Sequence, residues 1–124
     1  MIFIDTHIVV WLFHKSLDML SAAHREAIDK NDIYISPIVV LEVEYLFEIG
    51  KIKKNSRVII DYLANKIDLK IDSDDFNAII NIALKEKWTR DPFDRIIVSH
   101  ARYRDARLIT KDEKIKKNYS KVIF

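Results

Sequence analysis

Cysteine is absent from the 124 residues, which removes disulfides, thiolate nucleophiles and zinc–thiolate sites together and suits a reducing compartment. Glycine occurs once, at Gly50. A single glycine excludes phosphate-cradling loops of the Walker or dinucleotide type and the glycine-flanked serine elbow of hydrolases. Proline occurs twice, at Pro37 and Pro92; each follows a capping residue, Ser36 or Asp91, so each marks the first position of a helix. No long hydrophobic run is present. The apolar stretch from Ile8 to Phe13 is too short for a signal or a membrane span, and Met1-Ile2-Phe3-Ile4-Asp5 carries no basic segment, so a soluble, cytoplasmic protein without a membrane partner is expected. Nor does one sign of charge dominate: 32% of residues are charged, but the net charge is +2 and the pI about 8.8. Nucleic acid is permitted as a partner and not demanded.

What is present is apolar and alternating. Hydrophobic residues make up 49% of the chain, enough for a core without staples, and no repeat or linker divides residues 1–124, so one domain is expected. Ile2 to Asp5 reads as a buried strand, followed by a helix over His7 to His14 capped by Thr6. Ser21 to Lys30 is an amphipathic helix. Ile33-Tyr34-Ile35 is a second β-prone run, and Pro37 to Ile49 a helix capped by Ser36 and stopped by Gly50. After a basic connector, Lys51 to Arg57, a helix spans Val58 to Ile67. Leu69-Lys70-Ile71 is a brief strand, and Ser73 to Trp88 a longer helix with Asp72, Asp74 and Asp75 as capping acids at its positive end. A helix opened by Asp91 follows, then a strand over Arg107 to Thr110, a short helix to about Asn118, and an edge strand from Lys121 to Phe124. The alternation predicts an α/β domain with a mainly parallel sheet of four to five short strands, whose ligands gather beyond the C-terminal strand ends.

Four acids stand out against this pattern. In Arg90-Asp91-Pro92-Phe93-Asp94-Arg95-Ile96-Ile97, Asp91 is the N-cap, and at about 100° per residue Asp94 shares a row with Ile97, Val98 and Ala101. Asp94 therefore leads a buried stripe. Glu42 lies between the apolar flanks of its helix, and glutamate is rarely buried unless paired. Asp5 and Asp112 sit at strand ends, so all four converge on one rim. Like charges about 4 Å apart repel by about 4 kcal/mol at an effective dielectric near 20, and a hard divalent cation is the usual remedy. Oxygen ligands alone favour Mg²⁺ or Mn²⁺ over zinc; His7, His14, His24 and His100 read as surface or core residues. Such a site meets phosphate, and phosphodiester hydrolysis is its natural chemistry. The helix from Pro37 to Ile49 is apolar nearly all round and should pack against more than its own core.

Asp5-Thr6-His7 with Trp11, Ser36 and Glu42 with Gly50 closing their helix, Asp91-Pro92-Phe93-Asp94-Arg95, and Leu108-Ile109-Thr110-Lys111-Asp112 together resemble the PIN domain, and more narrowly the VapC-type toxins of toxin–antitoxin pairs. The resemblance covers essentially the whole chain in order. It implies a three-layer α/β/α fold, an endoribonuclease dependent on Mg²⁺ or Mn²⁺, frequent homodimers, and a small cognate antitoxin as partner. The family's four acids fall on Asp5, Glu42, Asp94 and Asp112, with Asp5 and Asp94 as main metal ligands and Glu42 and Asp112 completing the site and orienting the nucleophile. Asp91, Thr6, Thr110 and Glu113 are outer candidates. Arg95, Lys111 and Lys114 are candidates for the RNA backbone.

Two other readings compete. A haloacid-dehalogenase-like phosphatase also begins with an aspartate after its first strand, but it needs a second aspartate two positions on, where His7 stands. A PIN-fold binding module, or a nuclease that is not a toxin, would keep the same acids for other ends.

Overall fold

The computed structural model describes every residue from Met1 to Phe124. Five short runs, β1 (Ile2–Ile4), β2 (Ile33–Ile35), β3 (Lys70–Ile71), β4 (Arg107–Ile109) and β5 (Val122–Ile123), form one sheet in the order β3-β2-β1-β4-β5. Every pairing is parallel. Successive strand residues point to opposite faces, yet Ile2, Phe3 and Ile4 are all buried to within 1%, so both faces of the sheet are covered and the architecture is α/β/α. The cover consists of α1 (Thr6–Phe13), α2 (Ala22–Lys30), α3 (Pro37–Glu48), α4 (Ser56–Ile67), α5 (Phe76–Ala83), α6 (Pro92–Tyr103) and α7 (Glu113–Asn118). A single core of 23 buried residues joins sheet and helices. No helix is long and apolar enough to cross a membrane.

Strand order positions the site. From β1 the chain steps to β2 and β3 on one side, then returns to the other side of β1 for β4 and β5. Connections therefore diverge above the β1/β4 boundary and leave a crevice at the C-terminal strand ends. The register Ile4↔Ile109 sets Asp5 beside Thr110, and the Asp5 N–H donates to the Ile109 carbonyl at 3.2 Å.

Several local expectations are corrected. The cap of α1 is Asp5, whose Oδ1 accepts from the Ile8 N–H at 3.2 Å; Thr6 is the first helical residue, and its hydroxyl is thereby released for another partner. Asn55 caps α4, so that helix starts two residues before Val58 and shortens the basic connector. The expected helix from Ser73 to Trp88 is confined to Phe76–Ala83. Of its three supposed capping acids only Asp75 caps, accepting from the Ala78 N–H. Asp72 and Asp74 are instead drawn to Arg104 at the end of α6, and Asp72 also accepts from His100 at 2.9 Å. The Arg104 guanidinium holds the Asp72 carboxyl below its usual range. At the other end of α5, Arg95 Nε and Nη2 both donate to the Ala83 carbonyl, at 3.2 and 2.9 Å, which also accepts from the Glu86 N–H at 3.1 Å.

Gly50 closes α3 in the left-handed region, at φ +79°, with the Lys51 N–H returning to the Leu46 carbonyl. Only Val39 and Val43 of that helix are buried. Leu41 is 57% exposed, Tyr45 46%, and Phe47 36%.

Candidate active site

Asp5, Glu42, Asp91, Asp94 and Asp112, with Thr6, His7 and Ile97, line one cleft of about 160 Å³ above the β1/β4 boundary. Each acid arrives by a separate local rule. Asp5 leaves β1 and caps α1. Asp112 follows β4 and caps α7, its Oδ1 accepting from the Ile115 N–H at 3.0 Å. Asp91 caps α6 through the N–H groups of Phe93 and Asp94, at 2.8 and 3.3 Å, and Pro92 behind it fixes the helix start. Asp94 stands in the first turn of the same helix. Glu42 reaches in from α3 and accepts from the Thr6 hydroxyl. Helix N-termini favour negative charge, which helps explain how so many carboxylates are tolerated together.

That tolerance is incomplete. Burial raises the Asp5 carboxyl above its usual range, against the opposing effect of the Thr110 hydroxyl and the Ile8 N–H. Burial likewise raises Glu42, opposed by Thr6 and reinforced by Asp91. Asp94 is pushed up to about 7, first by burial and then by repulsion from Asp91, Asp112, Glu42 and Asp5. No hydroxyl or amide of the site reaches the Asp94 carboxylate, since those present go to Asp5, Glu42, Asp91 and Asp112. Neither lysine nor arginine lines this cleft.

The donor set suits a hard divalent cation in its chemistry: the acids offer oxygen, no soft ligand is present, and one carboxylate lacks any partner. In geometry it is open. No three of these side chains are gathered into a group that would hold a metal ion as they stand. Repulsion turns carboxylates toward the nearest donors, and here the hydroxyls of Thr6 and Thr110 and the helix N–H groups fill that role.

The sequence matches the PIN domain family over residues 2–121. The chain belongs to the PIN-domain family. Solved structures with the same fold include a chain of VapBC2 from Rickettsia felis, bound to a DNA fragment from their promoter. It is 24% identical, with a TM-score of 0.68, covering 99% of this chain and 96% of that one. A toxin–antitoxin complex from Klebsiella pneumoniae is similar at 19% identity and a TM-score of 0.68, covering 100% and 97% of the two chains. DNA-bound VapBC from Salmonella typhimurium matches at 18% identity and a TM-score of 0.64, covering 98% and 93%. No curated protein sequence matches the chain at a significant level.

On this PIN fold the remaining candidates separate. Thr110 is fully buried; its hydroxyl donates to Asp5 and accepts from the Asp112 N–H at 3.0 Å, so it ties two of the acids together. Glu113 and Lys114 are exposed in the first turn of α7, outside the acidic cleft. Lys111 lines an adjoining cleft. Arg95 is held by Ala83, away from the acids. Two residues were not singled out as site residues from sequence, His7 and Trp11. They sit one helical turn apart on α1 immediately after Asp5, and that spacing is the signal that would have found them.

Proposed function

We propose that this chain is an endoribonuclease dependent on Mg²⁺ or Mn²⁺, the toxin of a VapBC-type toxin–antitoxin pair. The observation that carries the reading is the convergence of five carboxylates on one cleft that holds neither lysine nor arginine, with Asp94 unpartnered among them. Asp5 and Asp94 would hold the cation, with Glu42 and Asp112 beside it. A cation bound there supplies charge stabilisation to a phosphodiester and acidifies a water. Thr110 and Thr6 orient the Asp5 and Glu42 carboxylates through their hydroxyls. Glu42, whose affinity for a proton is raised by burial, would accept one from the attacking water. Lys111 is the nearest candidate to meet the substrate backbone.

The toxin assignment draws on the PIN fold and on the toxin–antitoxin complexes that share it. Its structural correlate is the exposed apolar surface of α3, which we assign to a second copy of the chain or to the antitoxin. The test of the enzymatic reading is incubation of purified protein with single-stranded RNA and Mg²⁺ or Mn²⁺. Cutting that stops on chelation is expected, and cutting that survives rigorous chelation contradicts it. A PIN-fold binding module would bind RNA or a partner and cut nothing.

A further inference from the structure

A second cleft, of about 230 Å³, adjoins the acidic one and shares Asp5, His7 and Asp112 with it; its other walls are Trp11 and Lys111. His7 and Trp11 are four residues apart on α1, so they project on the same side. Their ring centroids are 6.0 Å apart at an interplanar angle of 45°. His7 is exposed, and Trp11, partly buried where it packs against the core, leaves the rest of its indole on the wall of this cleft. On the same cleft Lys111 presents its ammonium, 5.4 Å from the centroid of the Phe124 ring. An aromatic pair, a cation and a direct connection to a phosphate-directed site form the combination that single-stranded nucleic acid uses: bases stack on the rings while the backbone follows the charge.

We infer that the Trp11–His7 pair is a stacking platform for the unpaired base of a nucleotide adjoining the phosphodiester held at the acids, with Lys111 meeting its backbone. The inference rests on the nuclease reading of the acidic cleft. A base inside a duplex keeps both faces covered by its neighbours, so the platform selects single-stranded or looped RNA. Stacking is tolerant of base identity, because every base has a π-face. The platform therefore discriminates unpaired from paired nucleotides more than one base from another.

The test is an abasic scan. An RNA oligonucleotide cut by wild type is remade with one abasic ribose at each position around the mapped cut, and kcat/KM is measured for wild type, Trp11→Ala and Trp11→Phe. One abasic position beside the cut should lower wild-type kcat/KM by about 5- to 150-fold, the range expected for one stacked base. Trp11→Ala should show that loss on intact RNA and no further loss at that abasic position, while Trp11→Phe stays close to wild type. As an independent readout, titrating Asp94→Asn protein with intact RNA should quench indole emission, and RNA abasic at that position should not; Trp88, the other tryptophan, is tied through its indole N–H to Glu86. A flat scan, or a Trp11→Ala protein that stays as sensitive to the abasic site as wild type, overturns the platform and leaves the nuclease reading intact. If Trp11→Ala does not fold, the quenching experiment decides between the same two outcomes. Wild type that cuts no RNA overturns the nuclease reading and the platform with it.

Discussion

Thr110 stands beside Asp5 across the β4–β1 pairing and donates its hydroxyl to the Asp5 carboxylate, while the same oxygen accepts from the Asp112 N–H. One buried hydroxyl thus fixes two acids that come from opposite ends of the chain. Thr110→Val should leave a buried carboxylate short of a donor and destabilise the protein by about 1–3 kcal/mol at neutral pH. The Asp5 carboxyl is already raised above its unfolded value, and losing Thr110 raises it further. The extra destabilisation therefore grows as pH rises through the folded value and fades in acid. Urea unfolding at two pH values checks this, and Thr110→Ser should restore the wild-type midpoint.

Asp94 makes the opposite prediction. Its carboxyl titrates near 7 in the fold against 3.8 unfolded, so its contribution to stability is fully present below about 4 and is lost as pH rises through about 7. Replacement by Asn gives up a favourable helix-dipole interaction, worth about 0.3–1 kcal/mol, but relieves burial and repulsion that outweigh that dipole in the carboxylate itself. Without metal, Asp94→Asn should melt above wild type at pH 8, by roughly 3–5 °C for each kcal/mol relieved, and level with it at pH 4. Mg²⁺ should then raise the Tm of wild type and leave the variant nearly unmoved. A variant that melts below wild type at pH 8 would identify Asp94 as a structural residue only.

Asp72 separates fold from site. It is buried beside His100 and Arg104 and takes no part in the acidic cleft. Arg104→Ala leaves its charge without its main partner. The cost should approach the about 3–5 kcal/mol of breaking a buried pair, reduced because Arg104 keeps 27% of its side chain in water. Since Arg104 lowers the Asp72 carboxyl, the stability it supplies is present above the unfolded value of 3.8 and is lost as pH falls through the folded one. Below that pH wild type and variant should converge in stability, and at neutral pH the folded variant should retain whatever RNA cleavage wild type shows.

The exposed apolar face of α3 carries the prediction for assembly. Leu41→Lys should weaken the homodimer or the antitoxin complex without lowering the Tm of the isolated chain, because that side chain is already 57% exposed. Light scattering on wild type and variant, alone and with the antitoxin, measures it. A wild type that is monomeric at high concentration and binds no antitoxin removes the assignment.

Element types were legible in the chain because short β-branched runs alternate with capped helices, and Pro37 and Pro92 mark two helix starts to the residue. Asp94 was legible as an inward acid because a 3.6-residue period placed it on the buried stripe of α6. The misreadings share one cause, namely partners distant in sequence. Nothing local to Ser73-Asp74-Asp75 announces that Arg104 takes Asp72 and Asp74, which leaves α5 to start only at Phe76. Arg95 follows Asp94 directly and was expected at the rim, but the Ala83 carbonyl at the end of α5 takes it. Thr6 resembles a cap, and only the strand-end position of Asp5 lets the acid cap α1 and frees the hydroxyl for Glu42.

RNA cleavage through a divalent cation held by the acidic cleft is tested by comparing wild type with Asp94→Asn on labelled single-stranded RNA in Mn²⁺. A neutral Asp94 would leave a bound cation one carboxylate short, and cleavage should fall by about 10²-fold or more, while circular dichroism shows the same fold. Cleavage by Asp94→Asn at the wild-type rate would contradict the account.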